Sequence, residues 1–235
     1  VVAAICILWI KFFEGASLAT IGLAFESRAA KYYVRGLGVG LLMAVVVVLV
    51  VFVLGGYVQE SDLDFSSKDL IPILVLLFAF TVQASTEELV FRGWMMGRLS
   101  ARYGLWAGII GNSVLFTLMH VNTDGIGLMG TATILLFVAS TFLFALFLSL
   151  LAIRENSIWG ACAWNWSFIT CFGLPTTGLE LNLAPLAVNL MPNPASPQWL
   201  TGGLDGPEES ILTPIVLAIG CLWLLWRIQR SSKAG

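Results

Sequence analysis

Seven apolar runs separated by short polar connections leave this chain few folds to choose from. They lie near Val1 to Phe13, Val34 to Val58, Leu70 to Met96, Leu105 to His120, Thr131 to Ile153, Ser157 to Phe172 and Ile211 to Trp226. A helix needs about 20 mostly apolar residues to cross a bilayer, and in lipid only helices and closed barrels satisfy their own backbone hydrogen bonds. The pattern predicts an all-α fold, a polytopic transmembrane bundle of about seven helices. Composition agrees: 58% of the 235 residues are hydrophobic and 11% charged, whereas about a quarter are charged in a soluble domain. Every hydrophilic stretch is too short to bury a core of its own, so one membrane-embedded domain over residues 1–235 is expected. The first run is short and the chain begins at Val1 without a methionine, so a preceding N-terminal piece is expected. Nothing there has the pattern of a cleavable signal peptide.

Lys and Arg collect on the cytoplasmic side of short membrane loops. Arg28, Lys31 and Arg35 fall in one connection, Arg98 and Arg102 in another, Arg154 in a third, and Arg227, Arg230 and Lys233 in the tail. They alternate with connections that are acidic or poor in basic residues, Glu60 to Lys68, Asn122 to Gly130 and the long Gly173 to Ser210 stretch. The C-terminus is therefore expected in the cytoplasm. Cys6, Cys162, Cys171 and Cys221 all sit in apolar segments, where a thiol is a small hydrophobe, and their spacing suits neither a disulfide framework nor a metal site.

Two adjacent carboxylates interrupt the third run, in Ser85-Thr86-Glu87-Glu88-Leu89-Val90-Phe91-Arg92. An ionisable side chain inside a membrane costs several kcal/mol, roughly 3 on insertion scales, and marks a candidate functional site. On a helix, Glu88 and Arg92 are four apart with the acid first, the favourable order for an ion pair. Glu87 points elsewhere, about 140° from Arg92, and is free to move a proton. The one histidine of the chain, His120, ends the run that contains Phe116. A lone histidine at a helix end is more often an interfacial or hydrogen-bonded residue, but beside Glu87 it makes an acid–base pair able to activate water. Depth opposes that meeting: counted from Arg98 and Arg102, Glu87 lies about 16 Å inside and His120 about 27 Å. A bend or break is expected, with Gly93, Gly97, Gly104 and Gly108 as places for it.

Glu87-Glu88-x-x-x-Arg92 followed by Phe116-x-x-x-His120 resembles the CAAX-protease and bacteriocin-processing family of intramembrane proteases, also called the ABI or type II CAAX prenyl endopeptidase family. Further stretches look like bacterial members: Phe13 to Leu23, Arg35 to Gly40, Phe172 to Pro175, Thr201-Gly202-Gly203 and Gly206-Pro207-Glu208. The resemblance implies that Glu87 and His120 activate the attacking water and that Glu88 and Arg92 support the site. It implies no cofactor and no metal. It implies a membrane-associated peptide or protein as substrate and the bacterial cell membrane as location.

One motif departs from the family. A later His-x-x-x-Asn, associated there with the oxyanion, meets Trp159-Gly160-Ala161-Cys162-Ala163-Trp164-Asn165. Matched on Asn165, the histidine position holds Ala161. Matched on Trp159, about four residues are missing and Asn165 stands where the histidine would be. Either way the second histidine is absent, and Asn165 is open to two roles, an oxyanion donor or a packing hydrogen bond across the bundle. A zinc protease is disfavoured, because there is no His-Glu-x-x-His and one histidine falls short of the usual ligand set. A transporter would carry interrupted segments in two related halves, which are not seen. The remaining rival is a relative of weakened or lost activity, acting as a membrane scaffold or bacteriocin-immunity factor.

Overall fold

A computed structural model describes residues 1–59, 70–121, 131–180, 190–203 and 206–233, the side chains of 59, 173–180 and 232–233 excepted. The fold is all-α, and each of the seven expected runs has a helical counterpart. Helix α1, Val2–Leu8, continues as a π turn through Trp9–Phe13. It is followed by α2 (Ser27–Val53), a long α3 spanning Leu70–Tyr103, and α4 (Leu105–His120). Then come α5 (Thr131–Glu155), α6 (Trp159–Glu180) and α7 (Leu212–Lys233). Among the described residues, α2, α3, α5 and α7 have helical stretches long and apolar enough to cross a membrane, while α1 and α4 are apolar but shorter. The protein is an integral membrane protein.

Several helices outrun the apolar runs. Helix α2 starts at Ser27, so Arg28, Lys31 and Arg35 ride on its first turns instead of in a loop. Helix α3 carries Arg98 and Arg102 on its last turns, and α5 carries Arg154 on its last. Long basic side chains cap a buried helix by reaching outward from it. Helix α6 continues through Gly173 and Pro175 to Glu180, so the expected long connection is shorter at its start. The expected connections Glu60 to Lys68 and Asn122 to Gly130 lie outside the described residues.

Close backbone approach sets the packing of α2 on α6. Gly36, Gly40 and Ala44 recur every four residues on one buried face of α2. A Cβ on Gly36 would stand 2.1 Å from the Gly160 carbonyl oxygen, and one on Gly40 would meet Ser167 and the Trp164 backbone. This is small-residue packing of the kind that lets membrane helices touch. Trp164, Phe147, Phe168 and Leu217 fill the core between α2, α5, α6 and α7.

The basic helix ends gather at one pole. Arg35 pairs with Glu155, and the guanidinium groups of Arg154 and Arg227 lie 5.2 and 5.8 Å from the Trp223 ring centroid. At the other pole an unforeseen two-stranded ribbon joins β1 (Tyr57–Gln59) to β2 (Leu190–Pro192), antiparallel, with Val58 opposite Met191. Beyond it the chain makes a helical turn at Gln198–Thr201 and a 3-10 turn at Pro207–Glu209. Tyr57 donates a hydrogen bond to the Thr201 carbonyl at 2.7 Å, and Ser210 donates to the Leu200 carbonyl at 2.6 Å.

Helices α3 and α4 form a hairpin about Gly104, whose φ of 90° suits glycine. Ser100 fills the space where a Cβ on Gly108 would sit. This turn resolves the conflict of depth. Glu87 and His120 are almost equally far along the chain from Gly104, one before and one after it, so antiparallel helices bring them level. The expected break is not needed; the earlier depths came from counting from two different arginines. Helix α3 stays continuous but widens into a π segment over Leu89–Met95, a local change that often marks a functional site.

Candidate active site

The π segment begins just after the paired glutamates, whose side chains meet different surroundings. Glu88 is fully buried and Arg92 is 2% exposed. Arg92 Nη1 donates to Glu88 Oε1 at 2.9 Å, and Nη2 donates to the Ala145 carbonyl of α5 at 3.2 Å. Glu87 is partly exposed and faces a cavity of about 280 Å³.

Phe116 explains the spacing to His120. Its ring stacks on the imidazole with centroids 4.2 Å apart, and the Arg92 guanidinium lies 4.4 Å from the ring centroid. Its carbonyl lies 2.8 Å from His120 Nδ1. A carbonyl only accepts, so Nδ1 carries the proton and, in the neutral ring, Nε2 keeps its lone pair. Nε2 sits 4.0 Å from Glu87 Oε1. The hairpin thus brings together the two residues singled out from the sequence.

Asn165 enters from α6 and is fully buried. Its Nδ2 donates to Glu87 Oε2 at 3.1 Å and to Glu88 Oε1 at 2.9 Å. A primary amide has two N–H groups, and both are committed here. Gln83, one turn before Glu87, donates to Glu87 Oε1 at 3.1 Å. Glu87 is therefore held by two amides, one of which, Gln83, was not singled out from the sequence. Ala161, at the alternative histidine position, is fully buried. Trp94, Trp106, Trp159, Trp164 and Trp166, which could have lined a cavity, do not line this one; Trp94 instead donates to Glu14 at 2.9 Å.

The polar wall of the cavity comprises Gln83 and Glu87 from α3, His120 from α4, Ser140 and Thr141 from α5, and Glu208 from the 3-10 turn, with Thr213 beside it. Phe80, Phe116, Phe144 and Phe168 make much of the remainder. From the sequence Glu208 belongs to an acidic connection and to the family-like stretch Gly206-Pro207-Glu208, with no role assigned to it. Its carboxyl is pushed up to about 7, first by the protein crowded around it and then by the negative charge of Glu87. The side chain is nonetheless accessible to solvent. Its turn is rigidly built: Thr213 donates to the Pro207 carbonyl at 2.6 Å, and a Cβ on Gly202 would collide with the Gly206 carbonyl.

A buried ion pair, a histidine and a carboxylate beside a shared cavity make a candidate acid–base site inside the helical bundle of an integral membrane protein. Residues 69–168, which include Glu87, Glu88, Arg92, His120 and Asn165, match the family model of the type II CAAX prenyl endopeptidase, Rce1-like. Over that stretch, less than half of the chain, the protein is similar to the type II CAAX prenyl endopeptidases, which are proteases. No curated protein and no solved structure matches it.

Proposed function

We propose that the protein is an intramembrane endopeptidase that hydrolyses a peptide bond in a membrane-associated peptide or protein with water activated by Glu87 and His120. The observation that carries this reading is the 4.0 Å approach of Glu87 Oε1 to His120 Nε2 at the cavity wall. That separation is too long for a direct hydrogen bond and near the spacing of two acceptors that share one water. Such a water would donate to both groups and turn a lone pair toward the substrate carbonyl. Glu87 takes a proton as the oxygen attacks, and the proton then passes to the leaving amine as the carbon–nitrogen bond breaks. Asn165 and Gln83 aim the Glu87 carboxylate, while Glu88 and Arg92 fix the helix beneath it. No covalent intermediate, metal or cofactor takes part in this scheme. The gathering of Arg35, Arg154 and Arg227 at one pole supports a cytoplasmic C-terminus, and the motif resemblance supports a bacterial inner membrane.

The test is cleavage of a membrane-peptide library by the purified protein in detergent. Glu87→Ala, Glu87→Gln and His120→Ala should each lower the rate about 100-fold or more, and chelators should leave the wild type unchanged. Cleavage that persists in these variants would overturn the assignment.

A second reading is favoured by one feature, the absence of the second motif histidine. A folded wild type that cleaves no better than Glu87→Ala would support a scaffold or immunity role.

A further inference from the structure

Hydrolysis through a tetrahedral intermediate places negative charge on the former carbonyl oxygen, and that charge needs a donor. Several of the groups named so far are already committed. Both Asn165 amide protons are held by Glu87 and Glu88. The Arg92 guanidinium lies behind the Phe116 ring and contacts Glu88 and the Ala145 carbonyl. Among the described residues no Lys or Arg lines the cavity, and Thr213 Oγ1 donates to the Pro207 carbonyl.

Of the helix hydroxyls that are buried without a partner among the described residues, Ser100, Ser140 and Thr170, Ser140 is the one that lines the cavity. Thr81, Ser113, Thr117 and Ser149 each donate to the carbonyl four residues earlier, the habitual local partner of such side chains. Ser140 is 6% exposed, lines the cavity, and its Oγ has no hydrogen-bond partner among the described residues. Helix α5 presents Phe137, Ser140, Thr141 and Phe144 to the cavity at helical spacing, so the hydroxyl is fixed on a rigid element. A buried hydroxyl without a partner costs free energy, which a substrate oxygen would recover.

We infer that Ser140 Oγ donates the hydrogen bond that stabilises the oxyanion of the tetrahedral intermediate, the task left open by the missing histidine. Ser140 neither loses nor gains a proton: the water oxygen bonds to the carbonyl carbon, the carbonyl π electrons move to oxygen, and that oxygen accepts from Ser140. The inference rests on the peptidase reading above.

The experiment compares wild type, Ser140→Ala, Ser140→Thr and Glu87→Gln on the best library peptide, and measures binding of the phosphinate analogue of that peptide. Ser140→Ala should lower kcat about 100-fold with KM and melting temperature unchanged. It should weaken phosphinate binding by a similar factor while binding of the parent peptide to a Glu87→Gln background is unaltered. Ser140→Thr, which keeps the hydroxyl, should recover most of the rate. Wild-type kcat and phosphinate affinity in Ser140→Ala, with Glu87→Gln inactive, would overturn the donor role alone. A folded wild type that cleaves nothing would overturn the peptidase reading, and the donor role with it.

Discussion

Arg92 touches the Glu88 carboxylate, the Ala145 carbonyl and the Phe116 ring, so its removal leaves a carboxylate buried without its countercharge. Breaking one side of such a pair costs about 3 to 5 kcal/mol. Arg92→Ala should therefore melt well below wild type in detergent, and Glu88→Gln combined with Arg92→Met should recover stability without recovering cleavage. Glu208 gives a prediction in pH. Folded, its carboxyl holds a proton up to about 7, whereas in an unfolded chain a glutamate releases it near roughly 4.3. The folded state thus binds the extra proton, and this contribution to stability is complete below the unfolded value and lost as pH rises through the folded one. The melting temperature should fall between pH 5 and pH 8, and Glu208→Gln should flatten that fall; an equal slope in both proteins would contradict the assignment. The Glu88–Arg92 pair was legible because four-residue spacing on one helix is a local fact. Ser140 and Glu208 were not, because their meaning lies in what α5 and the 206–210 turn bring opposite Glu87. Asn165 was legible as polar and buried, but which acceptors it serves depends on how α6 crosses α3.

Glycine placement governs the α2–α6 contact. On α2, Gly36 and Gly40 face α6, while a Cβ on Gly38 would meet nothing within 4 Å. Gly36→Leu would press against the Gly160 backbone, which cannot yield as a side chain would. Overpacking of this kind costs about 1 to 3 kcal/mol or more. Gly36→Leu should lower the melting temperature by several degrees, while Gly38→Ala should leave it unchanged or raise it slightly; equal effects would show that the helices are not held at this crossing. The four-residue rhythm Gly36, Gly40, Ala44 is plain in the sequence once packing is the question. Helix ends were less legible: apolar content stops where the lipid stops, but hydrogen bonding carries α2 back to Ser27 and α6 on to Glu180. The ribbon between Tyr57 and Pro192 joins residues far apart in the chain, which no local pattern announces.

Across the whole molecule, the pole that gathers Arg35, Arg154 and Arg227 is the basis of the proposed orientation, with the C-terminus in the cytoplasm. A cysteine introduced as Ser231→Cys should react with a membrane-impermeant thiol reagent in inverted vesicles and stay silent in right-side-out ones; the reverse would place the C-terminus outside. The hairpin about Gly104 was the element most misjudged from sequence, because depth was reckoned from charges and not from the turn itself. Its symmetry separates chemistry from membrane thickness. Lengthening both arms of the hairpin by one helical turn, about 5.4 Å each, would carry the tip outward and leave Glu87 facing His120, whereas lengthening one arm alone would slide them past each other. Relatives living in thicker or thinner bilayers can therefore vary the distance between the glutamate and histidine motifs only in matched steps on either side of the turn, a rule of paired insertions written into the geometry of one glycine.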